Sequence, residues 1–162
     1  MIVVSNSTPL IHLSAMGRLD LLPQLFDRIV IANEVYDEVV LKGQDRPAAS
    51  EVQSAEWIQR QAINNRLACA ILQHSLDLGE SATIVLAIEL EADLTILDDR
   101  LARNQAQALP IKVTGTVGIL LMAAEQGIVH FQQALDALLA TGFRLSAAEY
   151  QRVINLWQAE QA

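Results

Sequence analysis

Short runs of β-branched residues alternate along the chain with longer apolar stretches, and the two patterns predict different elements. "IVVS" at residues 2–5 is an unbroken run of the kind that forms a strand covered on both faces. It stops at Asn6, Ser7, Thr8 and Pro9, where Thr8 is expected to cap a helix that has Pro9 at its first position and Gly17 at its end. "RIVI" at residues 28–31 repeats the pattern, with Asn33 as the expected cap of "EVYDEVVL". Beyond Gly43 comes a polar stretch containing Pro47, and then "EWIQRQAI" at residues 56–63 alternates like a half-exposed edge strand.

"GESATIVLAIELEA" at residues 79–92 is apolar nearly all round and predicts a buried helix. "LTIL" at 94–97 reads as a third strong strand, "DDRLARNQAQAL" as the helix after it, and "IKVTG" at 111–115 as a fourth strand feeding "TVGILLMAAEQG". Units of β followed by α, repeated in this way, give an α/β fold with a mostly parallel sheet of four or five strands and helices on both faces. The tail predicts one more helix. Ser146 and Glu149 form a capping box, Leu145 can staple onto Tyr150, and Tyr150, Val153, Ile154 and Trp157 repeat at helical spacing, so this helix docks on the domain or on a second subunit.

At 162 residues the chain suits a single domain over residues 1–162, and with 52% hydrophobic residues, 19% charged ones and only 7 Gly and 4 Pro it is not a disordered sequence. The formal net charge of -8 repels phosphate backbones and acidic membranes, so a nucleic-acid partner needs a local basic patch or bound cations. The single cysteine, Cys69, excludes an intramolecular disulfide and zinc held by paired thiolates, and fits a reducing cytoplasm. Residues 1–17 lack a basic leader and are interrupted by Ser-Asn-Ser-Thr-Pro, so they read as structure and not as a signal peptide. The apolar run at 113–124 is shorter than the roughly 20 residues a membrane helix needs.

In a parallel sheet, ligands bind beyond the carboxyl ends of the strands, and the polar residues fall there. Asn6, Ser7 and Thr8 follow the first strand; Glu34, Asp37 and Glu38 lie on the helix after the second; Glu80 opens the buried helix; Asp98 and Asp99 end "LTIL"; Thr114 and Thr116 follow the fourth strand. Oxygen donors from several segments, with no cysteine pair and no histidine pair at ligand spacing, suit a hard cation such as Mg²⁺ or Mn²⁺. Such ions activate water and offset charge in phosphodiester hydrolysis, a reaction that needs no Ser/His/Asp triad, and none is visible.

"SNSTPLI", "IVIANEVYDEV", "GESATIVLAIELEADLTILDD", "VTGTVGILL" and the terminal "GFRLSAAEY" together resemble the PIN domains, and closely their DUF3368 branch, over nearly the whole chain. PIN domains are metal-dependent ribonucleases, often the toxin of a toxin-antitoxin pair. The resemblance implies a three-layer α/β/α fold and a Mg²⁺ or Mn²⁺ site of acidic residues. On that pattern Glu38, Glu80 and Asp98 or Asp99 are the catalytic and metal-binding acids, and Glu34 is a weaker substitute for Glu38. Asn6 stands where an aspartate is usual, and its neutral amide holds a hard cation less strongly. Ser7, Thr8 and Thr116 would line the site, and Arg100 and Arg103, with Lys112 and Arg144, would form a phosphate-contacting rim.

Each of these residues also has a structural reading. Glu80 offsets a helix dipole, Asp98 or Asp99 caps the helix near Arg100, Glu34 is a first-turn charge, and Asn6 bonds a nearby amide in a turn, while "GTVG" needs no reading beyond a tight strand-to-helix turn. Four such coincidences at one edge of one sheet favour a shared site. The expectation is a cytoplasmic single-strand endoribonuclease, with an antitoxin protein as a candidate partner, a homodimer suggested by the Trp157 stripe, and no membrane association. The alternatives are a catalytically silent module that binds RNA or a protein, which Asn6 favours, and a flavodoxin-type small-molecule-binding domain. His12, His74 and His130 are scattered and read as partly buried or surface residues.

Overall fold

The computed structural model describes all 162 residues. Five parallel strands form the central sheet: β1 (Val3–Ser5), β2 (Ile29–Ala32), β3 (Ile58–Gln61), β4 (Leu94–Ile96) and β5 (Val113–Thr114), in the order β3-β2-β1-β4-β5. The β-branched runs are the buried central strands, and the alternating "IQRQ" is an edge strand as its pattern predicts. The last strand is shorter than "IKVTG" suggested, because only Val113 and Thr114 pair with β4.

The helices are α1 (Ser7–Ala15), α2 (Leu21–Phe26), α3 (Asn33–Tyr36), α4 (Pro47–Ser54), α5 (Arg66–Leu72), α6 (Leu78–Glu89), α7 (Arg100–Ala106), α8 (Thr116–Glu125), α9 (Phe131–Ala140) and α10 (Ala147–Gln161). Helix α6 lies on β1, β2 and β4 with α3, α5 and α7 beside it, while α1 packs with α4 and α8, and α2 with α8. The result is a three-layer α/β/α fold. Its main core gathers 33 buried residues, and a second cluster of Leu76, Ile84, Leu97, Ala102 and Ala106 joins α6 to α7. The two alanines on α7 let that helix sit close.

Local details differ from the sequence pattern at three helix starts or turns. Helix α1 begins at Ser7 with Asn6, not Thr8, in the capping position, so Pro9 is its third residue. Helix α3 is preceded by Ala32, and Asn33 is already helical. Helix α3 then widens into a π-helical turn over Asp37–Leu41, closed by the Lys42 N–H donating to the Asp37 carbonyl at 2.9 Å. The tail helix forms half of its expected capping box, the Ser146 hydroxyl accepting from the Glu149 N–H at 3.1 Å, while the Glu149 carboxylate takes the Ser146 hydroxyl and not its backbone N–H. It docks on its own chain: Ile154 is buried, and Trp157 packs against Phe131 with ring centroids 5.5 Å apart. That stripe is therefore spent within the chain and no longer argues for a dimer. No helix is long and apolar enough to cross a membrane.

The order of strands sets the position of the site. The chain runs outward from β1 through β2 to β3, then returns to the other side of β1 for β4 and β5. The strand order reverses between β1 and β4, the place where the carboxyl ends of adjacent strands in a parallel sheet open a crevice for ligands. Asn6 follows β1 and Asp98 lies just past β4, one on each side of it.

Candidate functional site

Asn6 is held by its backbone, its N–H donating to the Ile96 carbonyl of β4 at 3.0 Å. Its side chain caps nothing. The Oδ1 atom is buried with no hydrogen-bond partner, contrary to the expectation that the amide bonds a neighbouring backbone group. Ser7, next in sequence, donates from its hydroxyl to Glu38 Oε2 at 2.6 Å.

Glu38 thus stands on the π-helical turn with its carboxylate tied to the start of α1. The Gly79 backbone amide lies close to that carboxylate and favours its charged form, and a Cβ on Gly79 would fall on Glu38's carboxylate oxygens. The glycine before Glu80 is required by this close approach. Burial pushes the Glu38 carboxyl above the usual range, with the Ser7 bond opposing it and the charge of Asp77 adding to it.

Glu80 completes a capping box with Asp77: Asp77 Oδ1 accepts from the Glu80 N–H at 2.8 Å, and Glu80 Oε2 accepts from the Asp77 N–H at 3.0 Å. The structural reading of Glu80 is therefore correct, and more specific than a dipole effect. Its pKa is nevertheless pushed up to about 7, mainly by burial, with the charges of Asp77, Asp99 and Glu38 adding to it.

Asp98 and Asp99 separate into different environments. Asp99 caps α7, its Oδ2 accepting from the Ala102 N–H at 2.9 Å, and its exposed charge reaches Glu80. Asp98 turns the other way. Both its oxygens are occupied by Thr116, Oδ1 by the backbone N–H at 2.7 Å and Oδ2 by the hydroxyl at 2.6 Å. Burial raises the Asp98 pKa against these bonds and against the charges of His12 and Arg103. A Cβ on Gly115 would stand 2.8 Å from Asp98 Oδ1, so the first glycine of "GTVG" makes room for this carboxylate and is not part of a phosphate loop.

The remaining candidates disperse. Glu34 forms an ion pair with Arg66 of α5 at 3.3 Å, and its charge acts on Cys69, so it does not replace Glu38. Thr8 lines a separate groove with His12, Arg46 and Thr141. Arg100 and Arg103 line a polar cleft beside Asp98. The charges of Glu38 and Asp99 both reach Glu80, that of Asp77 reaches Glu38 and Glu80, and Asn6 stands next to the Ser7 that holds Glu38.

Three residues at or beside these acids were not picked out from the sequence. Asp77 was legible in principle, since Asp-x-x-Glu at 77–80 is a capping-box spacing. His12 had no local signal: its Nδ1 lies 2.7 Å from Thr141 Oγ1, its ring meets Phe143 edge-on, and burial lowers its pKa although Asp98 opposes this. Arg152 comes from α10, far along the chain.

No three His, Cys, Asp or Glu side chains converge closely enough to enclose an ion. The donors are all oxygens, however, and one of them is the orphaned Asn6 Oδ1. Mg²⁺ keeps several waters and is commonly held by one or two carboxylates, so the set fits a largely hydrated divalent ion and not one caged by protein.

A sequence model of the DUF3368 family, described as a PIN domain, matches residues 2–159. No curated protein matches the sequence. PIN domains are a nuclease-type, nucleic-acid-handling fold that typically uses divalent metals. The match takes in all five strands and the polar ends of β1, β4 and α6, and on that extent the chain belongs to the DUF3368 family of PIN domains.

Proposed function

We propose that the chain, as one domain over residues 1–162, is a Mg²⁺- or Mn²⁺-dependent endoribonuclease of single-stranded RNA. The observation that carries this reading is the buried, unpartnered Oδ1 of Asn6 at the crevice beside β1, next to the Ser7 that holds Glu38. A largely hydrated ion would take one or two of the carboxylates of Glu38, Glu80 and Asp99 directly and the others through its waters, with Asn6 as a neutral donor, and when bound it would acidify a water and offset phosphate charge. The chain's own part is to keep these donors in place. Ser7 fixes Glu38, Asp77 fixes Glu80, and Thr116 locks Asp98 so that it braces the start of α8.

A cytoplasmic location, a toxin role opposed by an antitoxin protein, and a homodimer belong to the same proposal. The exposed Leu67 and Ile71, one turn apart on α5, give a protein partner an apolar surface. The test is cleavage of a labelled single-stranded RNA in Mn²⁺, beside EDTA and Glu38→Gln. Cutting that disappears in both supports the reading; a folded wild-type protein that cuts nothing across Mg²⁺ and Mn²⁺ sinks it.

A catalytically silent RNA- or protein-binding module is the second reading, and one observation favours it. Glu38, Glu80, Asp98 and Asp99 each already accept a hydrogen bond from the protein, as purely structural carboxylates would. Such a module would keep its binding in Glu38→Gln.

A further inference from the structure

The chain has 11 Lys and Arg against 19 Asp and Glu, yet four of its arginines gather beyond the carboxyl ends of β4 and β5. A cleft of about 570 Å³ between α7 and α10 is lined only by polar residues, among them Arg100, Arg103, Asn104, Gln107 and Arg152. An adjoining cavity of about 250 Å³ shares Arg103 and Arg152 and adds Arg144. The ion pairs of the molecule involve Arg18, Arg60 and Arg66, so none of the four has a carboxylate within 4.0 Å.

The two walls are built differently. On α7 and its C-terminal cap, Arg100, Arg103, Asn104 and Gln107 repeat at i, i+3, i+4 and i+7, a polar stripe about 10 Å long where a core helix would carry an apolar one. Arg152 faces it from α10, whose position is fixed by buried Ile154, by Trp157 on Phe131 and by the Tyr150 hydroxyl donating to Asp136 at 2.7 Å. Asp98 and Glu149 are the acids in this cleft, and both Asp98 oxygens are occupied by Thr116. The local balance is therefore cationic in an acidic protein, which is what an anionic partner requires.

We propose that the cleft between α7 and α10 seats successive phosphates of a single-stranded RNA backbone, with Arg100, Arg103, Arg144 and Arg152 as the contacts and α10 as part of the nucleic-acid site. This rests on the nuclease reading and says where the strand runs. Lys112, assigned to the rim from sequence, lies before β5 and lines neither cavity. No aromatic side chain lines the larger cleft, so bases have nothing to stack on there, and the contact reads phosphate without reading sequence.

The test is fluorescence anisotropy of a labelled single-stranded RNA with the full chain in EDTA, so that cleavage does not intervene, over a range of salt. Wild type is compared with Arg152→Gln, with Arg103→Gln/Arg152→Gln, and with Arg28→Gln before β2 at the other end of the sheet; circular dichroism checks each fold. The inference expects weaker binding and a salt slope smaller by about 0.7 for each cleft arginine removed, with Arg28→Gln unchanged. Wild-type binding unaltered in affinity and slope by the cleft substitutions overturns the inference and leaves the nuclease reading standing. Absence of wild-type binding to any single-stranded RNA overturns both, and binding of polyglutamate in its place assigns the cleft to an acidic protein segment.

Discussion

Ser7 Oγ and Glu38 Oε2 lie 2.6 Å apart although 31 residues separate them, joining the corner after β1 to the π-helical turn that follows β2. The bond favours the charged form of a carboxyl that burial disfavours, so it acts on both stability and the site. Ser7→Ala should cost about 1–2 kcal/mol of unfolding free energy, because a half-buried carboxylate loses its donor. It should also weaken Mn²⁺ binding. Urea denaturation and metal titration check the pair, and unchanged stability would show that water replaces the hydroxyl at no cost.

Asn6 makes opposite predictions for stability and for metal. Asn6→Asp supplies the missing carboxylate and should tighten Mn²⁺ binding roughly tenfold, equivalent to about 1.4 kcal/mol. Without metal, the same substitution buries a charge near Glu38 and should lower the melting temperature. Calorimetric titration and thermal melts with and without Mn²⁺ separate the two effects. A variant that melts lower in both conditions would mean that this corner does not face the ion.

Glu80 predicts a pH dependence. Its native pKa is raised to about 7 from an ordinary 4.5, so the folded chain holds a proton that the unfolded chain has released. Stability therefore falls as pH rises from about 4.5 through about 7, and the cost is fully present above that. Glu80→Gln keeps an acceptor for the Asp77 N–H and removes the charge. It should melt higher than wild type at pH 8 and equally at pH 4; melting curves parallel across that range would remove the claim that burial and the neighbouring charges disfavour the Glu80 carboxylate.

Gly79→Ala tests the close approach of Glu38 to α6. Alanine favours a helix by up to about 1 kcal/mol over glycine, but its Cβ would collide with the Glu38 carboxylate, and overpacking costs about 1–3 kcal/mol. The expected outcome is net destabilisation, read by urea denaturation. A stabilised variant would show that Glu38 moves aside freely.

The sheet was legible because buried parallel strands are short β-branched runs, and "IVVS", "RIVI" and "LTIL" are such runs. Helices α2, α4 and α5 were not read, since segments of six to eight residues owe their helicity to packing more than to sequence period, whereas α9 was legible in principle, its buried Phe131, Leu135 and Leu138 repeating at i, i+4 and i+7. The π-helical turn under Glu38 has no periodic signature at all. Among the acids, residue type and position placed the candidates near the carboxyl ends of the strands, but only tertiary structure separates Asp98, bonded to Thr116, from Asp99, the cap of α7. The arginine cleft was half visible. Arg100 and Arg103 lie near the acidic corner in sequence, whereas Arg152 reaches it only through the docking of α10.

That separation gives the last prediction. Asp98 is bonded twice to Thr116 and faces His12 and Arg103, while Asp99 faces Glu80. Asp98→Asn should lose about 1 kcal/mol or less of stability, because its Oδ1 still accepts the Thr116 N–H, its amide now donates to the Thr116 hydroxyl, and the charge that burial disfavours is removed. Its Mn²⁺ affinity, measured below its melting temperature, should change little. Asp99→Asn keeps an acceptable helix cap, so it should stay near wild type in stability and bind Mn²⁺ less tightly. Urea denaturation and metal titration on the two variants give four numbers; the reverse pattern would make Asp98 the ligand and Asp99 only the cap of α7.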